Sequence, residues 1–129
     1  KIQNWVKALL HMYRKNPCLY ELDNKWGGFE WINADDRERS IFSFVRKSKD
    51  EKNNLLFVIN FTPVARDDYR VGVPKSKTYK LVLNSEDPQF GGNDTDRPVS
   101  YRAQKKPMDG RDYSIAYPLP AYGVAVFKY

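Results

Sequence analysis

NPCLYELDNKWGGFEWINADD, Asn16 to Asp36, is the stretch at which this chain changes character. Before it, Ile2, Trp5, Val6, Leu9, Leu10 and Tyr13 recur at helical spacing, with Lys7, His11 and Arg14 mostly off that stripe. The pattern predicts an amphipathic helix of about four turns. Lys15 and Asn16 suit its C-terminus, and Pro17 opposes continuation. So short a helix is marginal alone, and its stripe must pack on something. After the stretch, Gly27 and Gly28 punctuate an extended connector, and everything that follows reads as β. Phe29 to Ile32 begins it as a short strand, with Phe29 and Ile32 read as core.

Asn33 to Glu38 reads as a charged turn. Ser40 to Arg46 then puts Ile41, Ser43 and Val45 on one side and Phe42 and Phe44 on the other. Lys47 to Asn54 is a polar hairpin loop. Leu55 to Phe61 is nearly all apolar, as a strand covered on both faces should be. Asp68 to Val73, Thr78 to Leu83, Pro98 to Ala103, Asp112 to Tyr117 and Tyr122 to Lys128 complete a set of about eight strands. Tyr69, Val71 and Val73 alternate cleanly, as do Tyr79, Leu81 and Leu83. Val124 and Val126 face one way, Ala125 and Phe127 the other. Pro, Gly, Asn and Asp separate the runs, as turns require. The reading is an all-β antiparallel sandwich or barrel, without the strand–helix alternation of a parallel α/β fold. The longest irregular stretch, Asn84 to Arg97 (NSEDPQFGGNDTDR), is either an exposed loop or a docking element.

Composition sets the limits. A chain of 129 residues makes one domain. With 41% hydrophobic and 29% charged residues, and a net charge of +6, it is neither disordered nor fibrous. Aromatics reach 15%, with nine Tyr, whose amphipathic rings suit sheets, interfaces and sugar surfaces alike. One cysteine excludes an internal disulfide and fits a reducing compartment, so a cytoplasmic location is expected. One Cys and one His provide no zinc set, and no metal or cofactor is implied. No apolar run approaches the roughly 20 residues of a membrane span, and Lys1 to Lys15 is amphipathic, unlike a signal peptide.

The polar candidates for chemistry are weak. Asp35, Asp36 and Glu38 read as a solvated turn, since neighbouring residues on an extended chain face opposite ways. Glu86 and Asp87, and Asp94 and Asp96, read likewise, because the full calcium-loop pattern is absent. His11 lies on the helix, and seven residues separate it from Cys18, with no third group to orient a thiol nucleophile. The clusters Lys47, Lys49 and Lys52, then Lys75, Lys77 and Lys80, then Arg102, Lys105 and Lys106 lack any signature of a nucleic-acid fold, and no nucleic-acid partner is expected. The aromatic residues carry more. Trp26 beside two glycines and Tyr20 are candidate glucan contacts, because flat rings stack on the apolar faces of sugars. Trp31 reads as part of a hydrophobic seam.

Six segments, in order, resemble the 1,4-alpha-glucan (glycogen) branching enzymes of the alpha-amylase superfamily. They are ALLHMYRKNPCLYELD, GFEWI, NFTPV (Asn60 to Val64), YRVGVP (Tyr69 to Pro74), LVLNSEDPQFGG (Leu81 to Gly92) and GRDYSIAYPLPAYGVAVFKY from Gly110. Cys18 departs from the small residue, such as Ala, more usual there; a buried Cys is itself a small hydrophobe. The resemblance implies a β-sandwich of Greek-key type over 29–129, a connector over 17–28, and over 1–16 the last helix of a (β/α)8 barrel whose remainder lies upstream. It implies a non-catalytic domain. The Asp nucleophile, Glu acid/base and second Asp that transfer an alpha-1,4 segment to a 6-hydroxyl would sit on upstream strands, with two carboxylates about 5 Å apart. The expected partners are that barrel, which Ile2, Trp5, Leu9, Tyr13 and Trp31 would bind, and alpha-glucan through the parent enzyme. An autonomous glucan-binding module and a structural or protein-interaction domain are the alternatives.

Overall fold

The computed structural model describes residues 2–16, 18, 29–33, 41–48, 54–90 and 98–129. One helix, α1 (Ile2–Lys15), precedes eight strands: β1 (Phe29–Asn33), β2 (Ile41–Arg46), β3 (Leu55–Asn60), β4 (Arg66–Val73), β5 (Thr78–Asn84), β6 (Ser100–Arg102), β7 (Tyr113–Leu119) and β8 (Val124–Lys128). Six strands form one sheet in the order β1-β2-β3-β8-β5-β6, and β4 pairs with β7 in a second. Every pairing is antiparallel. The chain leaves the large sheet after β3, returns for β5, leaves again for β7, and inserts β8 between β3 and β5. This is the expected sandwich with Greek-key crossings.

Alternation explains which faces meet. Ile41 and Val45 of β2, Leu56 and Val58 of β3, and Ala125 and Phe127 of β8 point between the sheets. There they meet Tyr69, Val71 and Val73 of β4 and Ile115, Tyr117 and Leu119 of β7. The Phe127 and Tyr117 rings stand edge to face at 5.0 Å, and Tyr101 of β6 approaches both, at 5.7 and 5.2 Å. Edge-to-face geometry sets a positive ring edge against a negative ring face and adds to the stabilisation from burial. Tyr79 is wholly buried, and its hydroxyl donates to the carbonyl of Lys75 at 2.8 Å, closing the turn that carries the chain from β4 to β5.

The even alternation expected of Tyr79, Leu81 and Leu83 breaks at a bulge. Leu81 pairs with Phe127 and Leu83 with Val126, so the register shifts between them. One extra residue reverses the side-chain direction. Tyr79 and Leu81 therefore face the sandwich interior, and Leu83 faces outward beneath α1. Phe29 is also displaced from its expected place: Ile32 joins the core, but Phe29 lies on the outer face of the sheet, stacked on Phe44.

A tight turn at Met108–Arg111 fastens the second sheet to the edge of the first. Asp109 and Gly110 take left-handed φ angles of 54° and 74°, as an Asp-Gly hairpin turn requires. The Asp109 carboxylate accepts from the Gly72 amide at 2.9 Å and from Asn33 Nδ2 at 3.0 Å. The approach is close enough that a Cβ on Gly72 would stand 2.3 Å from the Met108 carbonyl oxygen. Gly72→Ala is therefore expected to destabilise the fold by about 1–3 kcal/mol, the usual range for overpacking. Urea unfolding measures this, and an unchanged midpoint would contradict the close approach.

Candidate functional site

Helix α1 is apolar on two sides. Trp5, Ala8 and Met12 follow one another at helical spacing and pack on Cys18, Leu55, Leu83 and Val126, on the outer face of the large sheet. Val6, Leu9 and Leu10 turn away and are exposed, Leu10 to 54%. The C-terminal end is capped by Asn16, whose amide and side-chain Nδ2 both donate to the Met12 carbonyl, at 3.1 and 2.8 Å. These bonds use one of the carbonyls that a helix end leaves free.

The first part of the long loop holds the helix down. Asn84 Oδ1 accepts from the Glu86 amide, and Asp87 Oδ1 from that of Gln89, and the chain enters a short 3-10 helix at Pro88–Phe90. Ser85 anchors the loop to β8 through its hydroxyl, which accepts from the Val124 amide at 2.8 Å. Phe90 then meets Trp5 edge to face at 4.9 Å, and Asn4 Nδ2 donates to the Gln89 carbonyl. Asn84 to Phe90 thus packs against the chain's own helix, and the rest of the stretch, 91–97, lies outside the described residues.

Beside the helix, on the same face of the sheet, lies a tier of aromatic rings. Phe57 packs against the helix cluster and stacks on Phe44 at 4.8 Å. Phe44 stacks on Phe29 at 5.1 Å and meets Trp31 at 5.7 Å. Cross-strand pairing sets this row, since Trp31 lies opposite Phe44 and Phe44 opposite Phe57. Trp31 is 51% exposed, and Phe29 is partly so. Glu30, on the alternate face of β1, binds Lys47 at 2.8 Å and Arg111 at 2.5 Å, fixing the edge strand.

The NFTPV segment forms a rigid end to this surface. Asn60, nearly inaccessible, donates through Nδ2 to the carbonyls of Val64 and Pro120, both at 3.0 Å. Its Oδ1 accepts from the Thr62 amide and hydroxyl. The loops so joined present Phe61, Val64 and Tyr122 to solvent. Tyr122 is left-handed, with φ of 51°, held by its amide donating to Thr62 O at 2.8 Å. That conformation costs about 1–2 kcal/mol for a residue with a Cβ.

The residues singled out in the sequence separate as follows. Trp5 lies against the sandwich and Phe90, Leu9 on the exposed side of α1, and Trp31 in the aromatic tier. Ile2 and Tyr13 belong to α1, but their side chains, and the whole of Tyr20 and Trp26, lie outside the described residues, as do Asp35, Asp36, Glu38, Asp94 and Asp96. His11 is exposed and Cys18 is buried. Burial pushes the Cys18 thiol up to about 11, against weaker lowering by Arg46, and the Tyr79 hydroxyl up to about 12. A protonated, enclosed thiol is the inert kind. Among the described residues no group of three or more His, Cys, Asp and Glu is placed to hold a metal ion, and no helix is long and apolar enough to cross a membrane. The aromatic tier was missed, although Phe29, Phe42, Phe44 and Phe57 are all readable as one outward set once the strands are put in register.

Two packed antiparallel sheets, with a helix laid on the outer face of the larger, define an all-β sandwich domain. The chain belongs to the family of alpha-amylase C-terminal all-beta domains, which it matches over residues 31–129. It is similar to a 1,4-alpha-glucan branching enzyme of Butyrivibrio fibrisolvens, 48% identical over 99% of this chain and 20% of the relative. It is also similar to those of Halothermothrix orenii, 41% identical over 99% of this chain and 20% of the relative, and Geobacillus stearothermophilus, 40% identical over 96% and 19%. The chain thus spans about one fifth of the length of these relatives.

Cys18 reports on the seating of the helix. Met12→Ala removes a half-buried side chain from the cluster around it and is expected to speed labelling of Cys18 by a thiol reagent roughly 5- to 30-fold, the equivalent of about 1–2 kcal/mol of local stability. An unchanged rate would mean that α1 does not guard the thiol.

The raised thiol also sets an alkaline limit. Its ordinary value is 9.0, so above that pH the unfolded chain releases a proton that the folded chain retains until about 11. The stability it contributes is complete below pH 9 and is lost as pH rises towards 11. Urea unfolding across this window should show a decline that is shallower in Cys18→Ala.

Proposed function

We propose that this chain is the non-catalytic C-terminal domain of a 1,4-alpha-glucan branching enzyme, and that it seats and stabilises that enzyme's catalytic barrel. On this reading α1 is the barrel's last helix, residues 17–28 are the connector, and 29–129 form the sandwich. The barrel transfers alpha-1,4-glucan segments to 6-hydroxyls with carboxylates on its own strands, and needs neither metal nor cofactor from this domain. Such an enzyme works in the cytoplasm, where glucan is stored and a free thiol such as Cys18 persists. The observation that carries the proposal is the second apolar side of α1, where Val6, Leu9 and Leu10 are exposed, together with the half-exposed ring of Trp31 on the same face of the sheet. Apolar surface of this extent marks an interaction site. Ile2, Leu9, Tyr13 and Trp31 would bind the barrel, and Trp5 would join the helix to the sandwich. Each large side chain buried there contributes roughly 1.5–3 kcal/mol.

The test compares one substitution in two settings. Leu10→Asp should change the stability of the 129-residue chain by no more than about 0.5 kcal/mol, as exposed substitutions do. In the full-length enzyme it should lower the melting temperature by several degrees and reduce branching. Equal shifts in both settings would overturn the seat, and new alpha-1,6 linkages made by the chain alone would overturn its non-catalytic role. The exposed Trp31 ring favours a second reading, a free-standing glucan module with Trp26 and Tyr20 as further contacts. Retardation of the chain in native gels containing glycogen, abolished by Trp31→Ala, would establish that instead.

A further inference from the structure

A groove of about 530 Å³ runs between α1 and β5, and its lining is unlike the rest of the outer face. Lys15, Lys80, Lys128 and His11 border it, over a floor that includes Met12 and Leu83. Among the described residues no carboxylate lines it. Lys80 and Lys128 stand directly opposite each other in the β5–β8 ladder. Like charges so placed repel and detract from the pairing. The ion pairs between described residues draw Lys47 and Arg111 to Glu30, and neither Lys80 nor Lys128 takes part in one. Opposed cations without a counter-charge, beside a concavity of ligand size, are arranged for an anion that comes from outside.

The helix end is compatible with such a guest. The C-terminal carbonyls of a helix repel an anion, but Asn16 occupies one of them, that of Met12, with two hydrogen bonds, and Arg14 and Lys15 in the last turn oppose the dipole. Lysine ammoniums bind phosphate as compact point charges. The apolar floor, with Gln89 also in the lining, suits the body that carries the phosphate: a pyranose has a C–H face for the floor and hydroxyls for polar neighbours. We infer that the groove between α1 and β5 binds the phosphate monoester of a sugar, with Lys80, Lys128 and Lys15 on the phosphate and the Met12–Leu83 floor beneath the ring. The ester is either a free hexose phosphate or a phosphate carried on a glucan chain. The site lies apart from Trp31, across the sheet from β1.

The experiment titrates the 129-residue chain with glucose 6-phosphate and with inorganic phosphate, following amide shifts and melting temperature. Glucose 6-phosphate is expected to bind saturably, at least fivefold more tightly than inorganic phosphate, shifting the amides of Lys80, Leu83 and Met12 and raising the melting temperature. Lys80→Gln and Lys128→Gln should each weaken binding by about tenfold. Neither should lower the melting temperature of the free chain, since each relieves the repulsion. The control Lys105→Gln/Lys106→Gln, at exposed positions remote from the groove in sequence, should bind as the unaltered chain does. Retention of a phosphorylated glucan, lost on phosphatase treatment, with no response to glucose 6-phosphate, would assign the ester to the polymer. Saturable glucose 6-phosphate binding assigns it to the free sugar. Absence of saturation with glucose 6-phosphate together with no phosphatase-sensitive retention of the glucan, equal affinity for inorganic phosphate, or equal losses in the Lys105/Lys106 control would overturn the site.

Discussion

The closing strand has to be buried on both faces, and the rest of the architecture answers to that requirement. β8 lies between β3 and β5 in the middle of the larger sheet. Its inward residues, Ala125 and Phe127, meet β4 and β7 across the sandwich, and Phe127 stands in the ring cluster with Tyr117 and Tyr101. Its outward residue, Val126, is no less buried, and what covers it is α1. A two-layer sandwich would leave Leu55, Leu83 and Val126 in water. The helix is therefore a third layer of the fold, and its own marginal stability as a short segment is made good by that apolar floor.

This explains why the bulge in β5 matters. Had the alternation of Tyr79, Leu81 and Leu83 continued unbroken, Leu83 would have pointed inward and the floor under Met12 would have lost one of its members. The register shift sends Tyr79 and Leu81 to the interior and Leu83 to the helix. The loop that follows extends the same function. Asn84, Ser85 and Asp87 fold it back by local hydrogen bonds, so that Phe90 arrives against Trp5. The first half of this polar stretch is thus the clasp of an apolar contact.

The fold was legible in the sequence to an unusual degree, because most strands here announce themselves by a period of two, Leu55 to Phe61 by an unbroken apolar run, and most are separated by Pro, Gly, Asn or Asp. The helix, the eight strands and the inward sets of β2, β4 and β8 follow from that alone. What periodicity could not supply was the partner of each outer face. Phe29 looked like core because it is large and neighbours Ile32, yet it stacks on Phe44 outside the sandwich. A bulge likewise leaves no mark on composition. The groove is the clearest case: Lys15, Lys80 and Lys128 are far apart in the chain, and only the antiparallel register brings Lys80 and Lys128 face to face.

The outer face of the large sheet is divided chemically in a way that folding alone does not require. Towards β1 and β2 it is aromatic, with the Trp31, Phe29 and Phe44 rings in one row. Towards β5 it turns cationic at Lys80 and Lys128. A face made only for docking another domain would be apolar throughout with a mixed-charge rim, since unpaired buried cations are costly. Lys80 and Lys128, without carboxylate partners among the described residues, are thus poor interior residues for a domain interface but good ones for a solvent-facing groove. The aromatic half and the far side of α1 therefore have the chemistry of a seat for a protein surface. The cationic half stays open to solvent, at the junction where the helix clasp holds its two walls together.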